Sequence, residues 1–180
     1  MSENASAHST QSHSIQILEE AFDPSAIYQQ LSEQSRTESG TKDSTESSTE
    51  SSTENNAENG ALVTFTGMVR DLAEAPVNAM FLEHYPGMTE RALEDIIHKA
   101  RARWSLGNIH IVHRVGMLYP GDPIVFIGVS SGHRHEAFEA CQFLMDYLKT
   151  EAPFWKKEFT PNGEQWVEAK CSDAEAAKRW

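Results

Sequence analysis

Residues 36–60 read RTESGTKDSTESSTESSTENNAENG, with an STES-type repeat through 44–54 and Ala57 as the one apolar side chain. Ordering such a stretch would lose conformational entropy with no apolar burial in return, so it cannot belong to a core. It predicts a disordered insertion in a surface loop. A phosphorylation site or partner tether is the functional alternative. The chain of 180 residues is thereby split. Residues 1–13 read as a disordered tail, 14–35 as a short β-α unit, and 61–180 as a body that forms one domain with that unit.

The acidity follows the same division. Residues 1–35 carry five acids and no base, 36–60 six acids and two bases, and 61–180 sixteen acids and thirteen bases. Most of the formal net charge of −12 therefore precedes the body, which is close to neutral. Such a balance excludes a general nucleic-acid binder, which presents a basic face. Cys141 and Cys171 make no disulfide framework. MSENASAHSTQSHS lacks the apolar stretch of a secretory signal, and no segment nears the roughly 20 apolar residues of a spanning helix. The expectation is a soluble cytoplasmic protein, with no membrane association.

Within the β-α unit, Ser14–Phe22 predicts a strand, and Asp23-Pro24 supplies a cap and first-turn proline for a helix to about Gln34. In the body, Ala61–Arg70 alternates, with Val63, Phe65 and Val69 on one face. Val77–Tyr85 predicts a strand stopped by Pro86-Gly87. Thr89 then caps a helix to about Trp104, with Leu93, Ile96, Ile97, Ala100 and Trp104 on one side. Ile109–Leu118 and Ile124–Ser130 predict a hairpin through Pro120-Gly121-Asp122. A second helix covers about Arg134–Lys149, its stripe being Phe138, Cys141, Leu144 or Met145, and Leu148. Strands near Phe154–Phe159 and Gln165–Ala169 close the chain. Hairpin-linked strands with two helices predict an α+β domain.

Three clusters could carry chemistry. In YLKTEAPFWKKE, Tyr147–Glu158, a proline and two aromatics separate Lys149 from Lys156. A turn there would aim both ammonium groups at one pocket with aromatic walls, where a lysine serves as base, nucleophile or anion anchor. Alternatively, Lys149 complements a helix dipole and Lys156 is a surface charge. Ser130-Ser-Gly-His-Arg-His135 lies where a strand passes into a helix. Its free amides and Arg134 suit an anion, or Ser131 merely caps the helix beside an exposed His133. Arg70 closes the strand containing Thr66-Gly-Met-Val-Arg70 and opens a loop. If Arg70, His133, Arg134, Lys149 and Lys156 converge, they form a pocket for a small phosphate-bearing anion. His133, His135 and Cys141 match no standard metal spacing, and His110 and His113 fall on opposite faces of a strand. Hence no metal and no cofactor is expected. GxGxxG, GxxxxGK[ST], CxxC pairs and GxSxG are absent.

ALVTFTGMVRD, LEHYPGMTERAL, GDPIVFIGVSSGHRHEAFEA, MDYLKTEAPFWKKE and the closing WVEAK…AAKRW resemble, in order across 61–180, the large catalytic subunit of molybdopterin synthase. The resemblance implies an α/β hammerhead-type fold with an additional antiparallel β subdomain. It also implies a homodimer core within a heterotetramer, each end docking a small ubiquitin-like sulfur-carrier subunit. That subunit's C-terminal thiocarboxylate would give sulfur to cyclic pyranopterin monophosphate in two transfers, building the dithiolene of molybdopterin. By position, Lys149 and Lys156 match the family's active-site lysines. Met68, Val69, Arg70, His133, Arg134, Lys156, Lys157 and Glu158, together with Lys149, match its substrate-contacting segments. Met68 stands where some relatives would have lysine, so any contact there is apolar or through backbone. Two readings from other classes are a non-catalytic dimeric scaffold for a pterin phosphate or ubiquitin-like tail, and a lysine Schiff-base enzyme.

Overall fold

The computed structural model describes residues 12–37, 59–70, 77–168 and 171–180. The expected tail and low-complexity loop lie outside these residues except at their margins. There, His13 opens the first strand and Arg36 and Thr37 close the first helix.

The described residues form two four-stranded sheets. The first has the order β1-β4-β6-β2, built from β1 (His13–Leu18), β4 (Leu106–Arg114), β6 (Pro123–Ser131) and β2 (Ala61–Met68). β1 runs parallel to β4, and the other pairings are antiparallel. The second sheet, β5-β3-β7-β8, is wholly antiparallel. It comprises β5 (Gly116–Leu118), β3 (Ala79–His84), β7 (Phe154–Thr160) and β8 (Gly163–Val167). The class is α+β, with the second sheet as the additional β unit.

Alternation decides where the helices go. Ile109 and Ile111 of β4, with Val125, Ile127 and Val129 of β6, point to one face. There they bury the apolar stripes of α2 (Met88–Arg101) and α3 (Arg134–Glu151). α1 (Pro24–Thr37) covers the opposite face, where fully buried Leu31 lies over Gly128. A Cβ on Gly128 would stand 2.4 Å from a Leu31 methyl, so the close approach needs glycine. Asp23 caps α1 through Oδ1, which accepts from the Ser25 amide at 2.9 Å.

Four expectations are corrected. Ile109–Leu118 is not one strand. The chain turns at Gly116, φ 79, so that β4 stays in the first sheet and β5 enters the second. Thr89 is not the cap of α2. The helix begins at Met88, and the buried Thr89 hydroxyl donates to Tyr85 O at 3.0 Å. Phe138 leaves the buried stripe of α3 and is 64% exposed, whereas Phe143 is fully buried. Its ring meets Trp104 and Trp180 edge-on, so the chain's last residue covers that side of the helix. Phe65 is likewise 41% exposed, because it lies on the first sheet's edge strand. A fourth helix, α4 (Cys171–Ala177), was not anticipated. No helix among the described residues is long and apolar enough to cross a membrane.

Candidate active site at the turn after the third helix

α3 ends where Ala152 takes an extended conformation, φ −79 and ψ 129, as the residue before Pro153 prefers. The Phe154 amide donates back to Ala152 O at 2.9 Å, and β7 begins at once. Lys149 therefore stands in the last turn of a helix and Lys156 three residues into a strand. Phe154 is the paired neighbour of His84, and Lys156 of Leu82.

Period two sorts the aromatic and charged residues of β7. Phe154, Lys156 and Glu158 share the inner face, while Trp155, Lys157 and Phe159 lie on the outer one. Lys156 Nζ is 3.0 Å from Glu158 Oε1. Lys157 instead meets Glu164 at 3.1 Å and lies 5.1 Å over the Trp166 ring, so it belongs to the other side of the sheet. Trp155 accordingly does not wall Lys156. It lines an outer groove of about 320 Å³ with Glu83, His84, Tyr85 and Trp166. Lys149 keeps 48% of its side chain exposed, and its Nζ donates to Asp173 Oδ1 of α4 at 3.3 Å. Desolvation of both lysines by aromatic walls is thus not what a single chain provides. Each ammonium is partly exposed, Lys149 more than Lys156, and faces one carboxylate.

The Met68–Arg70 segment approaches the same inner face from the first sheet. Val69 packs with Met80, Leu82 and Leu118, the small core beside Lys156. Its amide donates to Asp122 O and its carbonyl accepts from the Gly121 amide, both at 2.9 Å. Asp122 is fixed in turn, its Oδ2 accepting from Arg114 Nη1 and the Tyr119 amide at 3.0 Å. Val69 is the buried anchor of this segment. Met68 and Arg70 are exposed on either side of it.

His133 and Arg134 sit elsewhere. Both are exposed at the start of α3, where the His133 amide donates to Ser131 Oγ at 3.4 Å. Arg134 and Lys149 are fifteen residues apart on one helix, which at a rise of about 1.5 Å per residue separates them by ~22 Å. One chain therefore holds Lys149 and Lys156 on the two elements flanking the Ala152–Pro153 turn, with Val69 packed beside the strand of Lys156, and keeps His133 and Arg134 at the far end of α3. Among the described residues no cluster of three His, Cys, Asp or Glu side chains forms a metal site. His133 and His135 are exposed, while Cys141 is buried with its thiol pushed up to about 11.

Two contributors to this site escaped the sequence reading. Asp173 lies on the unanticipated α4. His113 of β4 is 4% exposed and stacks on Phe154, with ring centroids 3.8 Å apart and planes 14° from parallel. Burial pushes its imidazole down to about 4, with His84 lowering it further. A histidine in an apolar strand was the available signal for it.

The family model described as MoaE protein matches residues 38–151. The chain belongs to the MoaE family. The molybdopterin synthase catalytic subunit of Escherichia coli K12 is 63% identical to it over 123 residues, covering 67% of this chain and 81% of the relative. A solved structure of the molybdopterin biosynthesis MoaE protein from Burkholderia ambifaria superposes with a TM-score of 0.70. It is 45% identical, covering 94% of this chain and 98% of its own. At 17% identity and a TM-score of 0.66, a chain in the complex of subunits 1 and 2 of molybdopterin-converting factor from Helicobacter pylori shares the fold.

Proposed function

We propose that the chain is the catalytic subunit of a molybdopterin synthase. It would transfer sulfur from the C-terminal thiocarboxylate of a small ubiquitin-like subunit to cyclic pyranopterin monophosphate. The observation that carries this reading is the turn at Ala152–Phe154. It joins the two elements that carry Lys149 and Lys156, and the strand of Lys156 lies beside the Val69 core, in a chain of this family.

Both reactants are anions. A site that brings a thiocarboxylate and a phosphate-bearing pterin together needs fixed positive charge to offset their repulsion. The carboxylates now facing the lysines are exchangeable counter-ions, since ion pairs open to solvent contribute little. An arriving thiocarboxylate displaces Asp173 from Lys149. Lys149 then stands nearest the reacting sulfur, as acid/base or electrostatic stabiliser, with Lys156 assisting. Arg70, with backbone or apolar contact at Met68 and Val69, holds the pterin. Glu158 keeps Lys156 oriented until substrate arrives. Lys157 supports the strand from its outer face.

His133 and Arg134 join this pocket only if a second copy supplies them, because α3 is too long to bend both ends into one cavity. The homodimer is thus part of the reading. A symmetric pair offers two pockets, each taking lysines from one copy and the His133-Arg134 anion grip from the other.

Reconstitution with thiocarboxylated partner and precursor tests the assignment. Lys149→Ala and Lys156→Ala should each lower dithiolene formation by about 10² or more, the usual loss for a charge-stabilising group. Wild-type product from both would refute it. Mixing inactive Lys149→Ala with inactive Arg134→Ala should restore about a quarter of the pockets, since half of the random dimers carry one intact site. No recovery would place His133 and Arg134 outside the site. Failure of the two subunits to co-elute at micromolar concentration would remove the proposed partner.

A further inference from the structure

Ala152 and Pro153 join the two lysine-bearing elements, and with Phe154, the first residue of β7, they are contacted from α2 and from the first sheet. The Phe154 amide donates to Ala152 O at 2.9 Å. Thr89 Oγ1 of α2, wholly buried and donating its proton to Tyr85 O, lies 3.4 Å from Pro153 O. From the first sheet, the His113 ring lies flat on Phe154 at 3.8 Å. A centroid separation so near the thickness of an aromatic ring means that the two faces overlap almost fully. The imidazole is itself fixed, because Nδ1–H donates to Arg114 O at 2.9 Å. That bond sets the tautomer and leaves Nε2 as the unprotonated nitrogen.

The stack crosses between the two sheets. His113 sits in β4 opposite Val125 and Ile17, and Phe154 opens β7 opposite His84. Phe154 also packs against the main core of α2, α3 and the first sheet. It is therefore the point at which the lysine-bearing turn is referenced to the rigid first sheet. Lys156 follows two residues later on the same face, and Lys149 precedes by five residues on the helix.

We propose that His113 is a positioning residue for sulfur transfer, fixing Phe154 by face-to-face stacking so that Lys149 and Lys156 hold their relative placement. This rests on the functional reading above. The low proton affinity of the buried ring is consistent with it, since a neutral imidazole keeps one tautomer and one orientation throughout the physiological range. Misplacing a catalytic group by about 1 Å costs ~10²-fold in rate, so loosening the turn should act on turnover rather than on capture of the precursor.

The test uses the full chain with its thiocarboxylated partner. His113→Leu removes the flat face, and His113→Phe keeps it while removing the Nδ1–H donor. For His113→Leu the expected result is kcat per folded subunit lower by about 10- to 100-fold with KM for the precursor within about twofold. His113→Phe should recover kcat to within about threefold of wild type, although it too loses some stability. Unchanged kcat in His113→Leu, or equal losses in both variants, would overturn the proposal.

Should His113→Leu fail to fold, Phe154→Leu breaks the same stack from the other side and must give the same kcat-against-KM split. Lys149→Ala run in parallel separates the two claims. If it stays active, the site reading fails. If it is dead while His113→Leu turns over normally, only the positioning role fails. The ¹³Cε resonances of Lys149 and Lys156 give a readout free of activity. They should move in His113→Leu and stay in place in His113→Phe, and resonances unmoved in His113→Leu would count against the proposal.

Discussion

Acid should weaken this fold through one identifiable ring. His113 is held near pKa 4 in the folded chain by burial, against about 6.5 for an unperturbed histidine in the unfolded one. Between those values the unfolded chain binds a proton that the folded chain refuses, so stability rises with pH across the window. The contribution is complete above about pH 6.5, falls away as pH drops, and is exhausted near pH 4. Two and a half pH units at about 1.4 kcal/mol each amount to roughly 3 kcal/mol. That is a large share of the ~5–15 kcal/mol of a typical domain. Urea unfolding of wild type and His113→Phe at pH 7, 6, 5 and 4 isolates the effect. His110, whose proton affinity is also lowered by burial, and the carboxylates remain in both proteins and cancel in the difference. The variant should gain on wild type by about 3 kcal/mol between pH 7 and pH 4. Parallel curves would refute the reasoning and mean that water or a local opening reaches the ring.

Three further outcomes follow from packing. Phe143→Ala empties the centre of the Trp104–Phe143–Trp180 cluster, and thermal or urea unfolding should show a loss of about 3–5 kcal/mol. Gly128→Ala drives a methyl into Leu31 and Phe126, whose nearest ring atom would be 3.0 Å away. Denaturant midpoints should fall by the equivalent of about 1–3 kcal/mol, and amides of α1 should exchange faster than those of α3. Gly116→Ala meets nothing within 4 Å yet must hold φ 79, so calorimetry should record a modest cost of about 1 kcal/mol, from backbone alone.

How far the sequence reaches can be judged residue by residue. The buried face of α2 was legible because Leu93, Ile96, Ile97 and Ala100 keep helical spacing and a single layer covers them. Phe138 obeys the same spacing and is exposed, since periodicity names a face but not the length of helix that neighbours cover. The division of Ile109–Leu118 between two sheets was hidden in a stretch with no proline or turn cluster, where Gly116 is the one conformational mark. α4 is short and has no buried residue, and it is held to the rest of the chain by long-range contacts, the ion pair of Asp173 with Lys149 and the packing of Trp180 beyond it. Lys156 and Lys157 were separable in principle by strand alternation. The distance from Arg134 to Lys149 was countable too, fifteen residues on one helix, so a one-chain pocket containing both was already excluded by length.

β4 passes into β5 through Val115 alone and turns at Gly116, with the buried Val115 amide bonded to Leu18 O at 2.8 Å. Two layers joined through a single buried residue in this way leave little slack for one to swing against the other. Ligand entry must then be accommodated by side chains and by the arrival of other subunits rather than by one lobe clamping over another. Slow amide exchange should accordingly report β3 and β4 opening together, as one cooperative unit.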